Sequence, residues 1–203
     1  MTGRDLNGLS ALVTGATSGI GKAVAQELAR QGAEVIVHGR DASRGQVTVG
    51  DIKAEGGLAR FAAADLAEIT DLDRLAKDVG AVDILVNNAG FAWYGPTSDL
   101  SAAAFDRMFA VNVRAPYFLV AALAPAMAAK GSGSIINIGS RAGQIGRAGG
   151  AAYSATKAAV AAMTRTWAAE FSPAGVRVNT VAPGPVDTDG VRRTELPPSA
   201  PPR

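Results

Sequence analysis

Cysteine is absent from this 203-residue chain, so it forms no disulfide and carries out no thiol chemistry. Histidine is nearly absent too. A single His38 with no cysteine argues against a zinc or copper site, and the expectation is no metal. Neither sign of charge is in excess: 20 Lys and Arg meet 18 Asp and Glu, leaving +2. The basic residues are scattered, which argues against a nucleic-acid partner. Residues Met1 to Gly8 are polar and resemble no signal peptide. No apolar run approaches the length of a membrane span. The resulting expectation is a cytoplasmic protein with neither nucleic acid nor membrane as partner.

What is present is ordinary for a globular protein: 48% hydrophobic and 19% charged residues. At this length one domain buries roughly 70% of its unfolded surface. Short apolar runs at Ala11–Thr14, Glu34–His38, Leu58–Ala62, Asp83–Asn87, Ser134–Gly139 and Arg177–Val181 read as strands. Helical patterns at Ile20–Gln31, Ser43–Glu55, Ile69–Val79, Phe105–Ala129 and Tyr153–Phe171 alternate with them. That rhythm predicts an α/β fold: a doubly wound parallel sheet of about six strands in a three-layer αβα arrangement.

Tyr153 and Lys157 stand four apart, on one face of the last helix. A phenol titrating near 10 is a poor acid–base group at neutrality, and an adjacent ammonium favours the phenolate. The pair reads as a proton-transfer device. Ser140 follows a β-branched run and is expected at the carboxyl end of a buried parallel strand, where open α/β sheets place ligands. Glycines at 143, 146, 149 and 150 permit a loop that folds the helix start back over that end. Near the amino terminus, Gly15, Thr17, Ser18, Gly19, Ile20 and Gly21 form a Gly-x-x-x-Gly-x-Gly turn between a strand and a helix. Such a turn lets backbone N–H groups approach a diphosphate.

Thr14-Gly-Ala-Thr-Ser-Gly-Ile-Gly21, Asn87-Asn88-Ala89-Gly90, Ser140, Tyr153-x-x-x-Lys157 and Pro183-Gly184 together resemble the short-chain dehydrogenase/reductase family. Order and spacing match from about residue 6 to residue 188, most closely the 3-oxoacyl-acyl-carrier-protein reductase-like members. The resemblance implies a Rossmann NADP-binding and catalytic domain over residues 1–188. It implies an oxidoreductase that moves a hydride between a nicotinamide and a small carbonyl or alcohol substrate. Tyr153 would be the general acid–base group, Ser140 would hold the substrate oxygen, and Lys157 would bind the nicotinamide ribose while acidifying Tyr153. Asn112 would hold a water linking Lys157 to solvent, or else satisfy local backbone. Asn88, Ala89 and Gly90 would line the adenosine side, with Asn87 a sheet-stabilising amide. Asp65 and Leu66 would meet adenine, or Asp65 would cap a helix. Pro183, Gly184, Val186 and Thr188 would flank the nicotinamide.

The second strand ends in His38-Gly39-Arg40, without the acidic residue that NAD-dependent Rossmann proteins use on the ribose 2′-hydroxyl. Arg40 would meet a 2′-phosphate, with Arg44 a second contact, so NADP(H) is favoured over NAD(H). His38 reads as structural. Phe91, Trp93, Tyr94 and Gln144 either shape a substrate pocket or fill core. The two long helices, rich in Ala and bulky apolar residues, suggest a homodimer or homotetramer.

One departure from the family stands out. Its members continue beyond the Pro-Gly segment with a lid, a helix and a seventh strand. Here 15 residues follow Thr188, and four of the last seven are proline. A mean helix plus a mean strand needs about 17 residues. Residues 189–203 therefore read as a Pro-rich disordered tail, with the last helix and seventh strand missing and Arg177–Val181 left at a sheet edge. The alternative function is a non-catalytic nucleotide-binding or protein-interaction relative.

Overall fold

The computed structural model describes residues 6–187. Thr188 and the Pro-rich segment 189–203 lie outside the described residues. Six strands form one sheet: β1 (Ser10–Val13), β2 (Glu34–Gly39), β3 (Leu58–Ala63), β4 (Ile84–Asn87), β5 (Gly133–Ile138) and β6 (Val176–Val181). The order is β3-β2-β1-β4-β5-β6, and every pair is parallel. Six helices connect or flank them: α1 (Gly19–Arg30), α2 (Ala42–Ala54), α3 (Ile69–Val79), α4 (Ala102–Phe109), α5 (Ala115–Lys130) and α6 (Ala151–Phe171). The expected three-layer, doubly wound fold is what forms.

Period-2 burial on both faces explains the continuous apolar strands. Leu12, Leu85 and Ile135 point to the side of α3, α5 and α6, where Leu75, Leu119 and Met127 complete one core. Ala11, Val13, Val35 and Val86 point the other way, onto Ala25, Ala29, Val49 and Ile52 of α1 and α2. A fully buried Leu or Val contributes about 1.5–3 kcal/mol. The second face is covered less completely. Ile136 and Ile138 are only partly buried there, and with Ile20, Val24, Val181 and Val186 they border an apolar cavity of about 380 Å³. Among the described residues β6 is an edge strand.

The helix anticipated as one piece over Phe105–Ala129 is broken. Between α4 and α5 lies a π turn, Ala110–Arg114, closed by the Ala115 N–H bonding to the Ala110 carbonyl. Pro116 is the cause: it has no N–H for the Asn112 carbonyl four residues back, and its ring crowds that carbonyl. The widened turn carries the Asn112 side chain into the interior, 2% exposed.

A second correction concerns length. Ala102–Lys130 runs helical for 29 residues and contains an 18-residue stretch of mean hydropathy 1.3, long and apolar enough to cross a membrane by those measures. One face of it is already covered, since Met108, Ala115, Leu119, Val120, Leu123 and Met127 are buried within this fold.

Candidate active site

The chain winds outward from β1 in both directions, so β1 and β4 part at their carboxyl ends and open a crevice. Thr14 and Asn88 clamp that opening. The Thr14 hydroxyl donates to the Val86 carbonyl (3.3 Å) and accepts from the N–H groups of Asn88 and Ala89 (both 3.0 Å). The Asn88 amide donates back to the carbonyls of Thr14 (2.9 Å) and Gly15 (3.2 Å). Thr14 was not singled out from sequence, although it opens the glycine motif. Asn88 holds the loop with its side chain rather than turning it toward a ligand. Gly15 adopts φ +64°, and a Cβ on Gly21 would stand 2.3 Å from the Asn88 amide nitrogen. The loop therefore packs as tightly as bare backbone permits.

Two of the loop's N–H groups are used internally: Gly15 donates to His38 Nδ1 (3.2 Å) and Ala16 to the His38 carbonyl (2.8 Å). The first turn of α1 differs. Its N-cap Ser18 makes no side-chain cap bond, and no acidic residue stands there. Uncapped first-turn N–H groups and the positive helix end suit a diphosphate. The residues present thus fit a dinucleotide, with Thr17, Ser18, Gly19 and Ile20 nearest the open donors.

Arg40 is 66% exposed and 3.9 Å from Asp65, which binds Arg107 of α4 much closer, at 2.7 Å. Burial opposes ionisation of Asp65, but the Ala67 N–H, Arg107 and Arg40 outweigh it and hold the carboxyl below its usual range. Arg107 was not foreseen, because only the fold brings it to Asp65. Asp65 is not the helix cap: Glu68 occupies that position of α3, and Leu66 is buried in the core. Arg44 is held by Asp41, the N-cap of α2, at 2.8 Å.

At the end of β5, the Ser140 hydroxyl accepts from the Ala142 N–H (3.1 Å) and lies beside the Tyr153 phenol, whose ionised form it favours. Lys157 is 7% exposed, donates to the Ile138 carbonyl at 2.7 Å, and lies 5.8 Å from the Tyr153 ring centre. Ser140, Tyr153 and Lys157 converge as expected. Their electrostatics do not follow the expectation that Lys157 acidifies the phenol. Burial pushes the Tyr153 pKa up, Ser140 pulls it partly back, and the neighbouring Tyr94 adds to the rise. Burial also lowers Lys157 to about 8.

Asn112 accepts from the Phe91 N–H (3.1 Å) and donates to the Phe91 carbonyl (2.9 Å) and the Thr156 hydroxyl (3.1 Å). Its side chain thus satisfies the Phe91 backbone. Gly90 packs against it, since a Cβ would come 3.0 Å from Asn112 Oδ1. Asn87 donates to Asn137 across the sheet (2.8 Å), as a sheet-stabilising amide should. Tyr94 meets Tyr153 edge-on at 5.8 Å, with Arg147 4.9 Å above the Tyr94 ring. Pro183 accepts from the Arg141 N–H (3.4 Å), joining the Pro-Gly segment to the Ser140 turn. Val186 borders the apolar cavity, and Thr188 lies outside the described residues. Among the described residues no cluster of three metal-ligating side chains occurs.

Residues 10–197 match the short chain dehydrogenase family. The chain belongs to that family. Gluconate 5-dehydrogenase of Gluconobacter oxydans is 38% identical over 192 residues, 93% of this chain and 75% of that protein. A solved short-chain dehydrogenase/reductase family protein superposes with TM-score 0.88 and 51% identity, covering 91% of this chain and 77% of that one. The 3-oxoacyl (acyl-carrier-protein) reductase of Agrobacterium tumefaciens C58, solved with NADP bound, gives TM-score 0.86 and 38% identity over 91% and 72%. The chain is thus a member of an oxidoreductase family with relatives solved bound to NADP.

His38 is 2% exposed, and burial lowers its pKa from 6.5 to about 4 despite the Ala64 carbonyl and Asp65, which favour the charge. The folded chain therefore keeps it neutral, while the unfolded chain takes up a proton first as pH falls. Stability should be complete above about 6.5 and decline toward pH 4, by on the order of 3 kcal/mol. The depressed carboxylates Asp65 and Asp83 release their contributions only below that window. Urea unfolding of this short-chain dehydrogenase from pH 7 to pH 4 measures the slope. A flat profile would mean that His38 is charged in the fold.

Proposed function

We propose that this chain is an NADP(H)-preferring short-chain dehydrogenase/reductase acting on a small carbonyl or alcohol, with Tyr153 as its general acid–base group. The observation that carries the reading is convergence. Ser140, Tyr153 and Lys157 meet at the end of β5, on the same sheet edge as the uncapped start of α1. The same convergence favours catalysis over the non-catalytic alternative. In this reading α1 holds the diphosphate through the N–H groups near Thr17, Ser18, Gly19 and Ile20, with Gly15 and Gly21 allowing the approach. Arg40 reads the 2′-phosphate, Asp65 and Leu66 bound the adenine side, and Asn88, Ala89 and Gly90 form the crevice floor. Pro183, Gly184 and Val186 flank the nicotinamide side; Thr188 lies outside the described residues. The bound dinucleotide supplies the hydride chemistry.

Ser140 orients the substrate oxygen, and the Tyr153 hydroxyl gives it a proton or takes one from it. Lys157, titrating near 8 and buried beside the phenol ring, holds the ribose and exchanges protons with the site. Asn112 fixes the Phe91 backbone and Thr156, and through them the floor beside Lys157. A cytoplasmic location belongs to the same reading.

Tyr153→Phe should lower kcat by about 10²–10⁴-fold and leave NADPH affinity nearly intact, because only the reacting hydroxyl is lost. The assay is NADPH oxidation against a panel of ketones and keto acids, beside a direct titration of NADPH binding. Wild-type turnover in the variant would remove Tyr153 from the reaction. Arg40→Ala should weaken NADPH roughly tenfold and NADH hardly at all, the low end for a charge-assisted phosphate contact at so exposed a side chain. Equal losses for both cofactors would show that Arg40 does not read the phosphate.

The proposal extends to assembly. Tyr117 and Phe118 on α5 and Phe105 on α4 are 50%, 41% and 41% exposed, and Tyr117 leans on Trp167 of α6. An aromatic surface on α4 and α5, beside α6, suits pairing with a second copy, as a homodimer or homotetramer. Light scattering at micromolar concentration should give at least twice the chain mass; a monomer would overturn it.

A further inference from the structure

We propose that His38 is a positioning residue for the cofactor loop, setting affinity for the nicotinamide dinucleotide from beneath the loop while taking no part in proton transfer. This rests on the cofactor reading above. Three successive loop residues are seated on the end of β2. The Gly15 N–H donates to His38 Nδ1 at 3.2 Å, and the Ala16 N–H donates to the His38 carbonyl at 2.8 Å. Thr17 lies on the bare backbone of Gly39, where a Cβ would come 2.4 Å from its methyl carbon. With Nδ1 accepting, the ring proton is on Nε2, which donates to the Ala64 carbonyl at 3.2 Å. One imidazole thus joins the loop after β1 to the loop after β3, the segment that carries Asp65.

The ring chemistry is specific. A side chain buried to 2% exposure has no water to replace either bond. Burial holds its pKa near 4, so Nδ1 keeps the lone pair that the Gly15 N–H requires. The two internal bonds also divide the labour of the loop. Gly15 and Ala16 spend their N–H groups on β2, and the donors remaining for an anion are those where α1 begins without a cap. Losing the Nδ1 contact would free Gly15 to turn and shift Thr17 and the start of α1 with it. The catalytic groups at the end of β5 would stay where they are, since Ser140, Tyr153 and Lys157 share no hydrogen bond with His38: Lys157 is held by the Ile138 carbonyl, and His38 bonds the Gly15, Ala16 and Ala64 backbone.

Two near-isosteres separate the nitrogens. Asparagine places an amide oxygen about where Nδ1 stands and preserves the acceptor for Gly15. Glutamine places its amide about where Nε2 stands, preserving the bond to Ala64 and losing the acceptor. Equilibrium titration of NADPH fluorescence should find the dissociation constant of His38→Asn within about threefold of wild type. That of His38→Gln should rise roughly tenfold, the loss of one buried hydrogen bond. At saturating NADPH, kcat should stay within about twofold in both, and melting temperatures taken without cofactor should not rank the variants as their affinities do. Gly39→Ala tests the same seat through Thr17 and should weaken NADPH with kcat retained. Equal affinity changes in Asn and Gln, or none in Gln, would overturn the role of His38 while leaving the cofactor reading intact. A wild-type chain that binds neither NADPH nor NADH would overturn both.

Discussion

The hydrogen bonds that Thr14 and Asn88 exchange across the parting of β1 and β4 are the constraint on which the site depends. A parallel sheet satisfies its backbone only while strands run side by side, and at this topological switch the two ends must find other partners. The Thr14 hydroxyl takes two N–H groups of the outgoing β4 chain, and the Asn88 amide covers two carbonyls of the outgoing β1 chain. With those groups satisfied, the two strand ends can part at the root of the crevice. Gly21 can then bring α1 against Asn88 with no room for a side chain.

From that clamp the chain and a set of polar contacts lead to the Tyr153 backbone. The chain leaves Asn88 for Phe91, whose backbone is gripped on both sides by Asn112. Asn112 also donates to the Thr156 hydroxyl, which in turn donates to the Tyr153 carbonyl at 2.7 Å. The π turn makes this possible, and Pro116 imposes the π turn. A regular helix would carry residue 112 around by a fraction of a turn and leave the Phe91 backbone unpaired.

How much of this was legible in the sequence follows from what each feature depends on. Strand positions were, because burial on both faces writes unbroken apolar runs such as Val35-Ile36-Val37 and Ile135-Ile136. The glycine loop, Ser140, Tyr153 and Lys157 were, because their spacing is local. Arg107 beside Asp65 was not: 42 residues separate them, and only the β3–α3 loop lying against α4 joins them. The break at Asn112 had its cause in plain view at Pro116, but apolar periodicity runs through a π turn without a gap. The sign of the Tyr153 shift was illegible for another reason. A lysine four residues away predicts attraction, whereas the outcome is set by how deeply both groups are buried, and burial belongs to the fold.

That burial changes how Lys157 is understood. Its ammonium bonds the carbonyl of Ile138, the last residue of β5, two residues before Ser140. The neighbouring Gly139 N–H bonds the Val181 carbonyl at the end of β6. The helix bearing Tyr153 is therefore pinned to the strand end bearing Ser140, and that strand end is pinned in turn to the sheet's edge. Burial lowers the Lys157 pKa to about 8, and the cost is borne because the charge-assisted bond to Ile138 fixes the spacing of the hydroxyl and the phenol. The lysine is as much a strut between β5 and α6 as a source of charge, which explains why it is buried although its charge would be better solvated outside.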